Sequence, residues 1–240
     1  LGRINNRKKE YFVMKLSSDT LNVLQNFATI NNGIQVKIGN NLKTISANKT
    51  LLGLAHVPDT FETPFCIYDL NQFLGTLSLF DSPELEFGEN AVEIIEGPTH
   101  LKYVYADPNT IVTVPDKRLE CDGDIEFDLS QKDLDRLQKA ANILGLPNLV
   151  ITTDDAGEYL VAMATDVKNS TSNNFKVKLN GQTPSGATFK MVLKFDNLKL
   201  IPDDYHVRIS SKGISHFDGT KAEYFVAVEQ NESEYDNPNT

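Results

Sequence analysis

The chain says nearly the same thing twice. Residues 16–50 read LSSDTLNVLQNFATINNGIQVKIGNNLKTISANKT, and about 113 positions later residues 129–165 read LSQKDLDRLQKAANILGLPNLVITTDDAGEYLVAMAT. Both open on Leu-Ser, pass through an amphipathic helical pattern and continue as strand, turn and strand. Self-similarity at a fixed spacing marks one structural unit used twice. Each half therefore has to solve the same packing problem, a helix laid over a run of strands. The 240 residues are enough for two domains of ordinary size.

In the first half, Ser17 or Ser18 can cap a helix over 17–30, and Asp19 suits the positive end of its dipole. Leu21, Leu24, Phe27 and Ala28 supply the helical spacing, and Asn31-Asn32-Gly33 ends it. Ile34, Val36 and Ile38 alternate as a half-buried strand does, and Gly39-Asn40-Asn41 turns the chain into a second strand over 42–47. A strand over 65–68 follows, then a short helix over 69–73 capped by Asp69. Residues 74–80 fit neither period. Strands at 84–87, 91–95 and 101–105 complete a meander. The second half predicts a strand over 124–129 and a helix over 130–142. Ser130 is its cap, with Asp133 three positions on, and Gly145-Leu146-Pro147 its stop. Strands follow at 149–152, 158–164, 173–179, 188–195, 205–210, 214–218 and 224–229. Phe195-Asp196-Asn197-Leu198 echoes Tyr68-Asp69-Leu70-Asn71. Strands outnumber helices and the hairpins favour antiparallel pairing, so the class is α+β. Domains are expected at 14–110 and 124–230, joined by an extended connector at 111–123. Residues 1–13, ahead of a start-like Met14, read as a non-native or upstream extension outside the fold. The polar tail 231–240, with Tyr235 its single apolar residue, reads as flexible.

Catalytic chemistry finds no foothold. His56, His100, His206 and His216 stand at no metal-ligand spacing from one another or from a cysteine. Cys66 sits in an apolar strand as an inert thiol, and Cys121 in an acidic turn that disfavours the thiolate. No phosphate-cradling glycine loop or nucleophile elbow occurs. Residues 154–158, Asp-Asp-Ala-Gly-Glu, fall far short of a calcium loop and read as a hairpin turn. A hydrolase would need a convergent pair of carboxylates, and none is singled out. The two widely separated cysteines suit a reducing interior, which makes the Asn-x-Ser/Thr triplets at Asn48, Asn169 and Asn231 chance matches. No apolar run approaches the length of a membrane span. No metal or cofactor is expected.

Charge is the informative bulk property. The chain carries a net −10, and residues 1–13 hold four basic residues and one acidic. The rest is near −13, a surface that on average repels nucleic acid. Against that background Lys132, Arg136 and Lys139 fall at i, i+4 and i+7, three cations on one helix face. Leu134, Leu137, Ala141 and Leu144 fall on the opposing side, fit to cover a sheet. The matching face of the first helix offers Asn22, Gln25 and Asn26, with Lys15 the nearest cation. Lysine and arginine neutralise phosphate, whereas amides only hydrogen-bond to it, so the first half makes the weaker phosphate neighbour.

Several strings carry a family resemblance: 26–31 (Asn-Phe-Ala-Thr-Ile-Asn) with Gly33 after it, 67–71 (Ile-Tyr-Asp-Leu-Asn) followed by Phe73-Leu74-Gly75, and 106–110 (Ala-Asp-Pro-Asn-Thr). Their order and spacing, with the duplication, resemble the DNA polymerase sliding clamps of T-even-type bacteriophages over about 14–229. The resemblance implies a DNA clamp fold, two similar domains of antiparallel sheet with helices on one face, assembling as a ring of three identical subunits. It further implies a processivity factor that encircles and slides on duplex DNA, without sequence preference, and tethers the replicative polymerase. Such clamps are opened by a clamp-loader ATPase, have no enzymatic activity and would work in the cytoplasm of an infected bacterium. On that reading Lys132, Arg136, Lys139, Lys15, Asn22, Gln25 and Asn26 face the DNA. Ile111, Val112 and Val114 on the connector, with Pro202, form the apolar pocket for partner peptides, or else pin the connector to the sheet. The competing reading is a duplicated β-rich adaptor that binds protein and never meets DNA, which the acidic total and the uncharged first helix favour.

Overall fold

Two helices and most strands form where caps and periods predict them, and the longest strand forms where they do not. The computed structural model describes residues 12–115, 119–182 and 186–237. In chain order it contains β1 (Phe12–Met14), α1 (Ser18–Ile30), β2 (Ile34–Val36), β3 (Gly39–Ile45), β4 (Leu51–Phe61), β5 (Phe65–Ile67), α2 (Leu70–Leu77), β6 (Glu84–Phe87), β7 (Ala91–Glu96) and β8 (Thr99–Val104). A 3-10 turn at Pro108–Thr110 leads on to β9 (Ile125–Leu129), α3 (Gln131–Leu144), β10 (Asn148–Thr153), β11 (Leu160–Thr165), β12 (Phe175–Lys178), β13 (Asn180–Gln182) and β14 (Thr188–Lys194). The chain closes with β15 (Tyr205–Ser210), β16 (Ile214–Gly219), β17 (Glu223–Ala227) and β18 (Glu234–Asp236).

Backbone proximity divides the described chain into two units, one from 12–44 and 56–113, the other from 45–55 and 114–237. The expected division at the connector thus misplaces 45–55. Leu51–Leu54 of β4 pair with β17 of the second unit in the register Glu223↔Leu54 to Val226↔Leu51. This segment has no clean alternation, since Gly53, Pro58 and Asp59 interrupt it, which hides an 11-residue strand from a period count.

In the first unit, β1-β6-β7-β8 form an antiparallel sheet and β2-β5 a two-stranded one. Val23, Leu24, Phe27, Ala28 and Ile30 of α1 are buried, as are Leu70, Phe73 and Leu77 of α2. The interior is aromatic: Phe65 lies 5.0 Å from Phe87 and 5.5 Å from Tyr105, and Phe61 packs edge-on against both phenylalanines. Phe12 joins them at 6.0 Å from Phe87. Residues 12 and 13 therefore belong to the fold, contrary to the expected start at 14, because Phe12 packs on and pairs with Phe87 and Val13 pairs with Glu86. Residues 1–11 lie outside the described part.

In the second unit, β13-β9-β15-β16-β17 run in that order with Leu51–Leu54 of β4 beside β17, and five strands run in the order β12-β11-β10-β14-β18. Helix α3 lies on β11 and β12. The expected strand over 173–179 is two: β12 pairs with β11, and after Leu179 the chain changes sheet so that β13 pairs with β9. The tail expected to be flexible adds β18 to β14, with Tyr235 packed 6.4 Å from Phe189; 238–240 lie outside the described residues. Two smaller differences recur at element ends. β2 stops at Val36 and leaves Ile38 68% exposed, while α2 runs on to Leu77 because Phe73 and Leu77 are both buried. The echo at 195–198 is a single 3-10 turn, Phe195–Asn197.

Candidate nucleic-acid interface

Helix α3 is fixed at both ends. The Ser130 hydroxyl oxygen accepts the Asp133 N–H at 3.1 Å and donates to Asp133 Oδ2 at 2.8 Å. Asp204, from the segment before β15, accepts the Gln131 N–H at 2.7 Å, so a carboxylate sits at the positive end of the helix dipole. Gly145 closes the other end with φ +65, a left-handed turn that glycine adopts without strain. Leu134, Leu137 and Ala141 are buried. Leu144, expected beside them, is 44% exposed, and Ile143 is 73% exposed.

On the opposing face Lys132, Arg136 and Lys139 are all exposed. They line an open groove of about 570 Å³ together with Ser130, Gln131, Asp135 and Asp204. Arg136 donates to Asp133 Oδ1 at 3.3 Å, and its guanidinium lies 5.6 Å from the centroid of the Phe175 ring. Among the described residues Lys132 and Lys139 form no ion pair. Their ammonium groups are therefore free to meet whatever enters the groove, which they share with Asp135 and Asp204. The groove is open along the helix face rather than an enclosed cavity, and it carries three cations beside those two carboxylates.

Helix α1 is built the same way and charged differently. Ser17 caps it by accepting the Thr20 N–H at 3.2 Å, and Asp59 of β4 accepts both the Ser17 N–H at 2.7 Å and its hydroxyl at 2.8 Å. Asp59 and Asp204 play matching parts in the two halves. Neither announces itself in the sequence, because each lies many residues from the helix it holds. Asn22 and Gln25 are exposed, Asn26 is half-buried, and the helix contains no lysine or arginine. Lys15, expected on this face, lies 3.4 Å from Ser82 Oγ and 4.0 Å from Glu84, an exposed and long ion pair.

The connector residues divide. Ile111 is buried, and a methyl group on Gly33 would meet its Cγ2 at 3.1 Å. Val114 packs on Ile45, Leu52 and Phe225. These two pin the chain, while Val112 and Pro202 are exposed. Residues 116–118 lie outside the described part.

The histidines find partners that linear spacing hides. His206 Nδ1 is 3.0 Å from Asp128 and His100 Nε2 is 2.9 Å from Glu93. Buried His216 accepts an Arg208 N–H on Nδ1 at 2.8 Å and donates from Nε2 to Glu223 at 2.7 Å. Arginine cannot accept, so this sets the tautomer. His216, Asp218 and Glu223 are the one group of metal-ligand type found among the described residues. The guanidinium against the ring makes it a poor cation site. Burial pushes the Cys66 thiol up, with the Asp107 charge adding to it, and burial likewise raises Cys121. In the 154–158 turn, Asp154 accepts the N–H groups of Glu158 and Tyr159, so its carboxylate serves the hairpin. No described helix is long and apolar enough to cross a membrane.

Two sheet-and-helix units, each with a serine-capped helix exposing a polar face, define the DNA clamp fold. PCNA from Thermococcus kodakaraensis shares it with a TM-score of 0.68 at 15% identity, covering 90% of this chain and 99% of that one. The family model described as "gp45 sliding clamp, C terminal" matches residues 126–230. The sliding clamp of Vibrio phage KVP40 is 36% identical over 220 residues, 90% of this chain and 99% of the relative. That of Enterobacteria phage T4 is 32% identical over 223 residues, covering 90% and 97%. The chain belongs to the sliding-clamp family of T4-like phages. It is a processivity factor for phage DNA polymerase and not an enzyme.

Proposed function

We propose that three copies of this chain close head to tail into a ring, that duplex DNA passes through it, and that the helices α1 and α3 of each copy face the duplex. The observation that carries the reading is a pair of sheet edges. Among the described residues β8 ends the first unit's sheet and β12 ends the five-stranded sheet of the second. An edge with no partner is a liability unless something pairs with it. Pairing β8 of one copy with β12 of the next is a heterologous contact, which closes when the rotation per copy divides a full turn. Lys176 and Lys178 keep the short β12 from pairing indiscriminately.

Topology then does what affinity need not. A closed ring leaves DNA only by opening or by running off an end, so it needs sparse, sequence-blind phosphate contacts. Lys132, Lys139 and Arg136 supply them from α3, while Asn22, Gln25 and Asn26 give α1 an uncharged lining. Lys15 is a weaker candidate because of Glu84. The partners are the replicative polymerase and a clamp-loader ATPase, in the cytoplasm of the infected bacterium, and Val112 and Pro202 are the accessible members of the proposed peptide-docking set. A polymerase C-terminal peptide should bind less well to Val112→Asp and Pro202→Asp variants. The ring itself is tested by mass in solution. Light scattering should give three times the 26.7 kDa chain mass. Val104→Lys, at a β8 position 65% exposed, should shift it to monomer. A wild-type chain that stays monomeric at high concentration would sink the proposal.

A further inference from the structure

We infer that Arg136 couples DNA in the hole to the sheet edge β12, so that a duplex held by α3 firms the contact between subunits. The inference rests on the ring reading above and goes on to its regulation. Arg136 stands where two surfaces meet. It lies on the exposed face of α3 between Lys132 and Lys139, and its guanidinium sits over Phe175, the first residue of β12. A guanidinium is a flat fork with five N–H donors. Its face stacks on an aromatic ring while its edges bind oxygen. Here the ring takes the face and Asp133 takes one donor at 3.3 Å, leaving the remaining donors for the groove that Arg136 lines.

β12 has four residues and is paired on one side alone, Ala164↔Phe175 through Val161↔Lys178. Val177 is buried and Lys178 lies over the Tyr159 ring at 4.1 Å, so the far end of the strand is anchored, and the Arg136 contact is the ring contact at its first residue. The Arg136 fork need be ordered once to serve both contacts. Asp133 and Phe175 hold it ready for a phosphate, and a phosphate on its free edge pins it against Phe175. Linked equilibria are reciprocal, so the edge that helps DNA bind is the edge that DNA helps to order. Neither lysine offers this: Lys132 and Lys139 have no second attachment among the described residues.

The test reads subunit exchange between differently labelled trimers, with and without a short blunt duplex that threads the ring unaided. In the wild type the duplex should slow exchange about two- to fivefold, the size of a cation–π contact at an exposed site. Phe175→Leu keeps an apolar side chain and removes the ring face; Arg136→Lys keeps the charge and removes the flat fork. Both should still form trimers, bind the duplex about two- to fivefold more weakly as reciprocity requires, and lose the slowing, and the double variant should lose no more than either. Lys132→Gln/Lys139→Gln should bind the duplex less well and exchange at the wild-type rate without DNA. Full slowing in Phe175→Leu or Arg136→Lys, or altered DNA-free exchange in the lysine variant, overturns the coupling while leaving the ring intact. A wild-type chain that forms no trimer removes the ring reading itself.

Discussion

Replacing Lys132 and Lys139 by glutamine probes the DNA-facing helix with little risk to the fold. Both side chains are exposed and unpaired among the described residues, so their loss strands no buried group. Helix propensity is nearly unchanged, since lysine and glutamine rank together. Each phosphate that a cation neutralises contributes about 0.9 to the fall of log K with log salt. Two lysines in each of three subunits give at most about six contacts, or about 5 in the slope. A duplex presents its strands to a ring unevenly, so a loss of about 2 to 5 is the expected range. The assay is equilibrium binding of a short blunt duplex by fluorescence anisotropy between about 50 and 200 mM salt, with the slope as the readout. An Asn22→Ala/Gln25→Ala variant of α1 should alter affinity without altering the slope, because an amide releases no counterion. If the lysine variant keeps the wild-type slope, or the α1 variant loses as much, the phosphates lie elsewhere and the charge argument fails.

Phe87 touches Phe12, Phe61 and Phe65, so Phe87→Ala should destabilise the first unit by about 3–5 kcal/mol in denaturant unfolding; less than about 1 would mean that the cluster does not hold the unit. Ser130→Ala removes an N-cap and should cost about 1 kcal/mol, while Ser130→Asn should recover most of it. Burial pushes Asp203 up, but hydrogen bonds from the Thr220 hydroxyl and from the N–H groups of Lys221, Thr220 and Asp204 outweigh it and hold the carboxyl below its ordinary 3.8. A depressed folded value means that the unfolded chain binds more protons as pH falls. Its stabilisation is therefore present above about pH 4 and lost on acidification through the folded value. Asp203→Asn should be less stable than wild type at neutral pH, with the gap closing below about pH 4. An equal gap at all pH values would assign the effect to packing.

What the sequence made legible was local. Asp69 and Ser130 cap the helices they were expected to cap, Ser17 rather than Ser18 caps the first, and Lys132, Arg136 and Lys139 are exposed on α3. What it hid was set by distant partners. β4 lacks a clean alternation in its sequence because Gly53, Pro58 and Asp59 interrupt it, and the partner of its Leu51–Leu54 end, β17, lies far along the chain. Phe12 and Tyr235 look like stray apolar residues in polar ends until Phe87 and Phe189 are placed beside them. Asp59, Asp204 and Phe175 act on helices tens of residues away, and His216 meets Arg208 and Glu223 across strands. A single sequence carries no register, so none of these pairs is visible in it. Lys15 likewise has a neighbour that its sequence position does not show, Glu84 at 4.0 Å.

The account turns on encirclement, and encirclement is a matter of topology. Clamp loaded by its loader onto a nicked circular duplex should stay with the DNA through gel filtration at moderate salt, and should be lost once a restriction enzyme cuts the circle. Retention on the cut DNA would mean ordinary binding to its surface, and loss from the intact circle would mean that no closed ring surrounds it.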